Sequence, residues 1–211
     1  MKSKFYIFIR GLIGIPARGY FRLHSHGTEN EPTEAEGPYI IASNHVSNAD
    51  PVFLCICTKH QQPHFMAKKE LFKVPIVNKV VAALGAYPVD RGGADVGAIK
   101  RTIKMLEEGK CIGIFPQGHR QKGIDPRETE VKGGIGMIAA RTEATILPCY
   151  IKMKKRKWAL FRRVDVYMGK PIPFKDLNYN PATPGEYNRI SKQIFDSICT
   201  LGESVEDAEN E

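Results

Sequence analysis

Residues 39–51 read Tyr39-Ile40-Ile41-Ala42-Ser43-Asn44-His45-Val46-Ser47-Asn48-Ala49-Asp50-Pro51, an apolar run followed by a polar loop and a proline. A short apolar run of this kind is typical of a buried strand. Proline favours the first position of a helix, so Asp50 is predicted to be the N-cap of a helix that starts at Pro51. The stretch therefore predicts a strand, a loop and a helix in succession.

The loop holds a histidine and an aspartate five residues apart. A neutral imidazole accepts a proton from a hydroxyl near physiological pH, and a carboxylate on its other nitrogen fixes the tautomer and stabilises the imidazolium. Inside one α-helix, residues five apart point about 140° away from each other, so contact between His45 and Asp50 requires a turn. We predict that His45 is a general base and that Asp50 orients it.

Strand and helix patterns continue to alternate beyond this stretch. Strands are predicted at 40–43, 63–67, 86–89, 111–115, 146–151 and 164–168, and helices at 52–58, 74–84, 96–108 and 135–142. The helix from 96 is predicted to be capped by Asp95 and stopped by Gly109. A chain of 211 residues can bury one sizeable core. We expect a single α/β domain with a mainly parallel sheet flanked by helices.

Polar clusters follow three of the predicted strands, at 44–50, 90–93 and 116–120. Ligands of open α/β sheets bind in the crevice outside the carboxyl ends of the strands, so these loops are expected to converge. Two of the clusters contribute guanidinium groups, Arg91 and Arg120, whose planar fork suits phosphate. The predicted crevice therefore joins a base to an anion-binding site.

The order of these motifs resembles the glycerolipid acyltransferase family of the PlsC type, the lysophosphatidic acid acyltransferases, over residues 5 to about 175. Four blocks match: N-H-x4-D at 44–50, a block ending in arginine at 85–91, the block Phe115-Pro116-Gln117-Gly118-His119-Arg120, and a run around proline at 146–151. The resemblance implies that His45 deprotonates the free hydroxyl of 1-acyl-glycerol-3-phosphate. That hydroxyl would attack an acyl thioester of acyl carrier protein or CoA and give phosphatidic acid, in phospholipid biosynthesis.

The resemblance also implies roles for other residues of the crevice. Arg91, Arg120 and Lys68 would hold the acceptor phosphate, while Gln117, Gly118 and His119 would form the acceptor site, with backbone amides near Gly118 stabilising the oxyanion. Most members have glutamate and threonine where this chain has Gln117 and His119. We expect phosphate binding to survive these changes and the acceptor preference to shift.

The charge distribution favours anionic partners. The chain has a net charge of +8, and its last nine residues contain five acids and no base, so residues 1–202 carry +13. Residues 1–26 form a basic, amphipathic arm without any acid, 27–202 the predicted acyltransferase domain, and 203–211 an acidic tail predicted to be disordered. We expect the chain to bind an anionic membrane surface at the cytoplasmic face, as a peripheral protein.

The apolar run of the arm is too short to span a membrane, and the arm lacks a signal-peptide cleavage site. It is predicted to be one helix, or two joined near Gly14-Ile15-Pro16, lying in the membrane interface; packing on the core is the alternative. A second basic segment, 152–163, surrounds Trp158, Leu160 and Phe161. Its composition also suits the interface, although a solvated hairpin turn fits it as well.

Other chemistries find less support in the sequence. The five cysteines include no Cys-x-x-Cys pair, and Cys55 and Cys57 lie in an apolar run, which predicts packing in a reducing compartment. No metal-ligand spacing, nucleotide loop or nucleic-acid motif is visible, so no metal, cofactor or nucleic acid is expected. Three alternatives stay open: another acceptor such as glycerol phosphate or a different lysolipid, a thioester hydrolase, and a non-catalytic module for anionic lipid or RNA. The donor, the acyl chain length and the oligomeric state are not set by the sequence.

Overall fold

The computed structural model describes residues 4–89, 96–157, 159 and 161–207. In chain order its main elements are α1 (Lys4–Tyr20), β1 (Leu23–His26), β2 (Tyr39–Ser43), α2 (Asp50–Cys57), β3 (Pro63–Lys68), α3 (Val77–Ala83), β4 (Tyr87–Val89), α4 (Val96–Glu107), β5 (Cys111–Ile114), α5 (Gly134–Thr142), β6 (Thr145–Met153), β7 (Val164–Met168) and α6 (Glu186–Asp207). Short 3-10 turns lie in several of the connections. Each strand and helix predicted from the sequence therefore has its counterpart, with ends shifted by up to three residues.

The seven strands form one sheet in the order β1-β7-β6-β2-β5-β3-β4. All neighbouring pairs are parallel except β6 and β7, which form an antiparallel pair. Helices flank the sheet on both faces. Strand β2 accordingly contributes to two separate apolar clusters, one with α1 and α2 and one with α4, α5 and α6. The predicted fold class, a mainly parallel α/β sheet flanked by helices in one domain, is confirmed.

The apolar run at β2 lies at the centre of the molecule. Tyr39 and Ile41 pack against residues of α1 and α2, whereas Ile40 and Ala42 pack against residues of α4, α5 and α6. Successive side chains of a strand point to opposite faces, so a strand covered on both faces must be apolar throughout. This double burial explains the unbroken run that opens the decisive stretch.

Helix α6, at the C-terminal end of the described chain, was not predicted from the sequence. Its buried face includes Ile190, Ile194 and Ile198, which cover the cluster behind Ile40. The helix runs to Asp207, so residues 203–207 are helical and not part of a disordered tail; 208–211 lie outside the described residues. The end of the helix is held because Glu203 accepts two hydrogen bonds from the Arg127 guanidinium, at 2.7 and 2.9 Å.

The N-terminal arm also differs from the prediction. Helix α1 continues through Pro16 without a break, so of the two predicted forms the single helix is the one observed. Residues 23–26, assigned to the arm from the sequence, form β1, which pairs with β7 at the edge of the sheet. The strand exists because a partner lies beside it, since His24-Ser25-His26 has no apolar pattern of its own.

One side of α1 is tied to α2. The Arg10 guanidinium donates to the carbonyl oxygens of Cys55, Ile56 and Thr58 at 2.7–2.9 Å, where α2 ends, and the hydroxyl of Tyr6 donates to Cys55 O at 3.0 Å. A cation at the C-terminus of a helix satisfies carbonyls that lack helical partners. Helix α1 is therefore anchored to the helix that carries Asp50.

The opposite side of α1 is apolar and exposed. Its large exposed side chains are Phe5, Ile7, Phe8, Leu12, Ile15 and Tyr20. The inner side of α1 thus packs on the core, as one interpretation of the arm predicts, and its outer side is an exposed apolar surface. In the described part of the chain, no helix combines the length and the apolar character that crossing a bilayer requires.

Candidate active site

The loops that follow β2 and β5 meet at the carboxyl edge of the sheet, because these two strands are parallel neighbours. The amide of His45 donates to Gln117 Oε1 at 2.7 Å, and the amide of Gln121 donates to His45 O at 2.8 Å. The backbone of His45 is thus held on both sides by the second loop. Two of the three polar clusters expected to converge are in contact.

His45 and Asp50 face each other across the turn that their spacing requires. His45 Nδ1 lies 2.8 Å from Asp50 Oδ2, and the same oxygen accepts hydrogen bonds from the amides of Val46 and Ser47 at 2.6 and 2.7 Å. The Asp50 side chain is fully buried. The carboxylate therefore organises the loop and fixes the imidazole at once.

The predicted N-cap role of Asp50 is wrong. Helix α2 begins at Asp50 itself, with Ala49 at the N-cap and Pro51 one residue further into the first turn. Asp50 and Pro51 each stand one position further into the helix than predicted. The Asp50 carboxylate accepts hydrogen bonds from amides of the preceding loop and does not cap the amides of the helix. What appeared in the sequence as a possible helix cap is an orienting group for His45.

The imidazole of His45 lies against aromatic rings. It stacks on Phe115 with ring centroids 4.0 Å apart and planes inclined by 15°. The ring centroids of Phe115 and Phe65 are 5.8 Å apart. Phe65 crosses β5 at Gly113, where an added Cβ would stand 1.9 Å from its ring. With Nδ1 engaged by Asp50, Nε2 is the nitrogen that remains for a substrate proton.

Asn44 fastens the same loop to the opposite neighbour of β2. Its side-chain amide donates to Ile151 O at 3.0 Å and its carbonyl accepts from Ile151 N at 2.8 Å. These two bonds join the end of β2 to β6, a strand 107 residues later in the chain. The asparagine of the N-H-x4-D motif thus has a structural role that sequence reasoning left unassigned.

Gln117, predicted to lie in the acceptor site, is buried and turned towards the protein. Its Oε1 accepts from His45 N, and its Nε2 donates to Thr129 Oγ1 at 2.8 Å; that hydroxyl in turn donates to Pro126 O at 2.7 Å. Only 1% of the residue is exposed. Both ends of the carboxamide are therefore engaged, and its observed contacts position His45.

The last three residues of the third block lie on the surface. Gly118 has φ +72°, and its amide donates to Phe115 O at 2.9 Å, so it is not available to an oxyanion in this conformation. His119 and Arg120 are exposed, and His119 Nε2 lies 2.9 Å from Gln121 Nε2. Lys132, which the sequence did not single out, packs its side chain over Gly118. A second cation thus lies beside the loop of Arg120.

The remaining predicted phosphate ligands belong to β3 and to the segment after β4. Lys68 ends β3 and is exposed, on the edge of the sheet at which β2 and β5 also end. It pairs with Val89 of β4. Arg91 lies two residues further on, outside the described residues.

The cysteines are all buried thiols. Burial raises the pKa of Cys55 and of Cys57 to about 12, and it also raises those of Cys111, Cys149 and Cys199. Their positions within the two apolar clusters agree with a packing role. No group of three or more histidine, cysteine or acidic side chains is arranged to hold a metal ion within the ranges that the structure describes.

Comparison with known proteins shows consistent similarities. The family model described as Acyltransferase matches residues 22–152. A Streptococcus pneumoniae protein named 1-acyl-sn-glycerol-3-phosphate acyltransferase is 34% identical over 179 residues, which are 82% of this chain and 64% of that protein. A Bacillus subtilis protein of the same name is 30% identical over 159 residues, 74% of this chain and 77% of that protein. This chain thus spans less than two thirds of the length of the first of these relatives.

A solved structure supports the fold. The crystal structure of the 1-acyl-sn-glycerophosphate acyltransferase PlsC from Thermotoga maritima superimposes with a TM-score of 0.71. It covers 95% of this chain and 79% of its own, at 21% sequence identity. At this identity the likeness concerns the fold of the two chains.

Proposed function

Because this chain belongs to the Acyltransferase family, we propose that it transfers an acyl chain from an acyl thioester to the free hydroxyl of 1-acyl-glycerol-3-phosphate and so forms phosphatidic acid. The observation that carries the proposal is the pair formed by His45 and Asp50, joined at 2.8 Å where β2 ends. Two relatives at 30% identity or more are named for this reaction, which supports the choice of acceptor.

The chemistry follows from which nitrogen Asp50 holds. Asp50 keeps Nδ1 protonated, so Nε2 accepts the proton of the acceptor hydroxyl while the hydroxyl oxygen forms a bond to the thioester carbon. The carbon–sulfur bond then breaks, and the leaving thiolate takes the proton back from Nε2. The products are an ester and a free thiol, and His45 returns to its starting state. A positioned base of this kind contributes about 10²–10⁴ to the rate.

The acceptor phosphate requires cations beside the base. We assign this task to Arg120, Lys68 and Arg91; Arg120 lies exposed beyond the carboxyl end of β5, and Lys68 is the exposed last residue of β3. A guanidinium binds a phosphate through two parallel hydrogen bonds, while an ammonium acts as a point charge. Gln117 takes no part in this binding, because its carboxamide is engaged by His45 and Thr129.

The acceptor is a lipid, so the protein has to meet a bilayer. The exposed side of α1 is apolar, and its opposite side is fixed to α2, which suits a helix lying in the plane of the interface. We assign this surface to peripheral binding at the cytoplasmic leaflet. The thioester donor, acyl carrier protein or CoA, then approaches from the aqueous side.

One experiment tests the proposal against its alternatives. Purified protein is incubated with a labelled acyl thioester of CoA or of acyl carrier protein and with lysophosphatidic acid, glycerol phosphate, another lysolipid or no acceptor. Phosphatidic acid is the expected product, and comparison of the two thioesters identifies the donor. Free fatty acid without any acceptor would instead indicate a hydrolase in which His45 activates water. Vesicle binding without any product would indicate a non-catalytic module.

A further inference from the structure

A basic groove lies at the end of the sheet formed by β6, β7 and β1. It encloses about 490 Å³ and is lined by Arg22, Lys152, Lys154, Arg162, Arg163 and Asp165. Five of these six side chains are cationic. The acyl-transfer chemistry proposed for His45 makes no use of them.

The strand register explains why the cations gather. Leu23, Val164 and Met153 are paired across the three strands and are buried in the cluster that contains α1 and α2. Neighbouring residues of a strand point to opposite faces. Arg22 and Arg163 directly precede paired residues, and Lys152 and Lys154 flank Met153. Within the strands, Lys152 and Asp165 therefore point to the other face of the sheet, while Arg22, Lys154 and Arg163 lie directly outside the strand ends beside them.

The groove opens at the same edge of the sheet as His45. Strand β6 runs parallel to β2 and antiparallel to β7, and β7 is parallel to β1. The C-terminal ends of β2 and β6 and the N-terminal ends of β7 and β1 therefore share one edge. With strands about 4.8 Å apart, β7 lies about 10 Å from β2. A flat membrane surface placed along this edge would therefore contact both the groove and the crevice at His45.

Asp165 does not neutralise the groove. Its carboxylate accepts from Arg163 Nε and Nη2 at 2.7 and 2.8 Å and lies 2.8 Å from His26 Nε2. Burial alone would raise the pKa of Asp165, but the hydrogen bonds from Arg163 and His26 outweigh it and lower that pKa. The carboxylate thus stays ionised and holds Arg163 in place, while Arg22, Lys154 and Arg162 add further positive charge.

An exposed aromatic pair lies next in sequence to residues of the groove. The rings of Tyr20 and Phe161 lie 5.5 Å apart, and the two residues are 51% and 64% exposed. Tyr20 ends α1 two residues before Arg22, and Phe161 directly precedes Arg162. The aromatic pair therefore connects the end of α1 to segments that line the groove. Aromatic rings next to lysine and arginine form the composition found at the headgroup level of a membrane.

We propose that this groove binds the phosphate of an anionic glycerophospholipid in the membrane leaflet, as a lipid site separate from that of the acceptor at His45. The inference rests on the membrane orientation in the proposed function and deepens it. In this arrangement Tyr20 and Phe161 enter the interface and the cations hold the headgroup beside them. The bound lipid fixes the tilt of the sheet edge so that the crevice at His45 faces the leaflet.

The test uses vesicle co-sedimentation of the full chain without any thioester. The double variant Arg22→Gln, Arg162→Gln removes two charges of the groove. Its control, Lys175→Gln, Lys192→Gln, removes two exposed charges near α6 and on α6 that do not line the groove. Because each cation near an anionic leaflet contributes a roughly fivefold factor, the groove variant is expected to bind phosphatidylglycerol vesicles roughly 30-fold more weakly. The control variant is expected to bind like the unaltered chain.

Three results would overturn the proposal. Equal weakening in both double variants would mean a diffuse charge effect, and wild-type binding in the groove variant would mean that the groove takes no part. Binding of single-stranded RNA lost only in the groove variant, with vesicle binding intact, would make the groove a nucleic-acid site. If the double variant does not fold, as judged by thermal unfolding, Lys154→Gln asks the same question with an expected loss of roughly fivefold.

The result is independent of the acyl-transfer assay. Vesicle binding that depends on Arg22 and Arg162 supports the groove even if no acyl transfer is found. Acyl transfer with no dependence of vesicle binding on these residues leaves the proposed function intact and removes the groove. Deletion of 206–211 adds one further control, since these residues include four acids. The proposal would be contradicted if the deletion raised vesicle affinity while the groove variant lost none. The groove would then bind the acidic segment of the chain and not a lipid phosphate.

Discussion

Replacing Gln117 by leucine tests whether the geometry of His45 depends on the loop after β5. Leucine has a similar volume but makes neither of the two hydrogen bonds of the carboxamide, 2.7 Å to His45 N and 2.8 Å to Thr129 Oγ1. The site is almost fully buried, so water does not replace the lost partners. The His45 amide is left without its acceptor.

The size of the effect follows from the cost of a buried polar group. An unsatisfied donor costs about 1–3 kcal/mol, and the loop recovers this free energy by moving His45 away from its observed position. Because 1.36 kcal/mol corresponds to a factor of ten in rate, kcat is expected to fall roughly 5- to 150-fold. The KM for the acceptor is expected to stay near its wild-type value, since the Gln117 side chain points away from the crevice.

Steady-state acyl transfer with lysophosphatidic acid measures both constants. Gln117→Glu is the matched control, because a carboxylate keeps an acceptor for His45 N, and it should recover most of kcat. A leucine variant with unchanged kcat and a raised KM for the acceptor would refute the reasoning. Gln117 would then bind the acceptor, as the sequence alone had predicted.

Two further predictions concern residues that support the site, and a third concerns the buried cysteines. Asn44→Ala removes both bonds to Ile151 and should lower the free energy of unfolding by about 2 kcal/mol in urea titration; a change below about 0.5 kcal/mol would contradict the bridge between β2 and β6. Arg10→Ala leaves three carbonyls at the end of α2 without their cation and should destabilise the fold by about 2 kcal/mol, whereas Arg18→Ala, exposed on the same helix, should do so far less. Because burial raises the pKa of all five thiols, a thiol reagent at pH 8 should modify none of them until urea is added, and rapid modification of the native chain would show that one is accessible.

The sequence predicted the features that local patterns encode. The double burial of β2 appears as the unbroken run Tyr39-Ile40-Ile41-Ala42, and the turn after it follows from the spacing of His45 and Asp50. Helix α6 also has a local signal, because apolar residues recur three and four apart from Ile190 to Ile198.

Other features depend on partners far along the chain. The inward orientation of Gln117 depends on His45, 72 residues away, and on Thr129, whose hydroxyl is already directed to Pro126. Strand β1 owes its existence to β7, more than 130 residues later. The family motif placed Gln117 at the site, but only its contacts show that it holds the backbone of His45.

The most direct test of the account is the acyl-transfer rate of His45→Ala. His60→Ala is the matched control, because His60 is exposed beyond the opposite end of α2. The account predicts that His45→Ala lowers kcat by about 10²–10⁴ while folding and vesicle binding are unchanged, and that the control keeps wild-type activity. Near-normal acyl transfer by His45→Ala would contradict the assignment of His45 as the base.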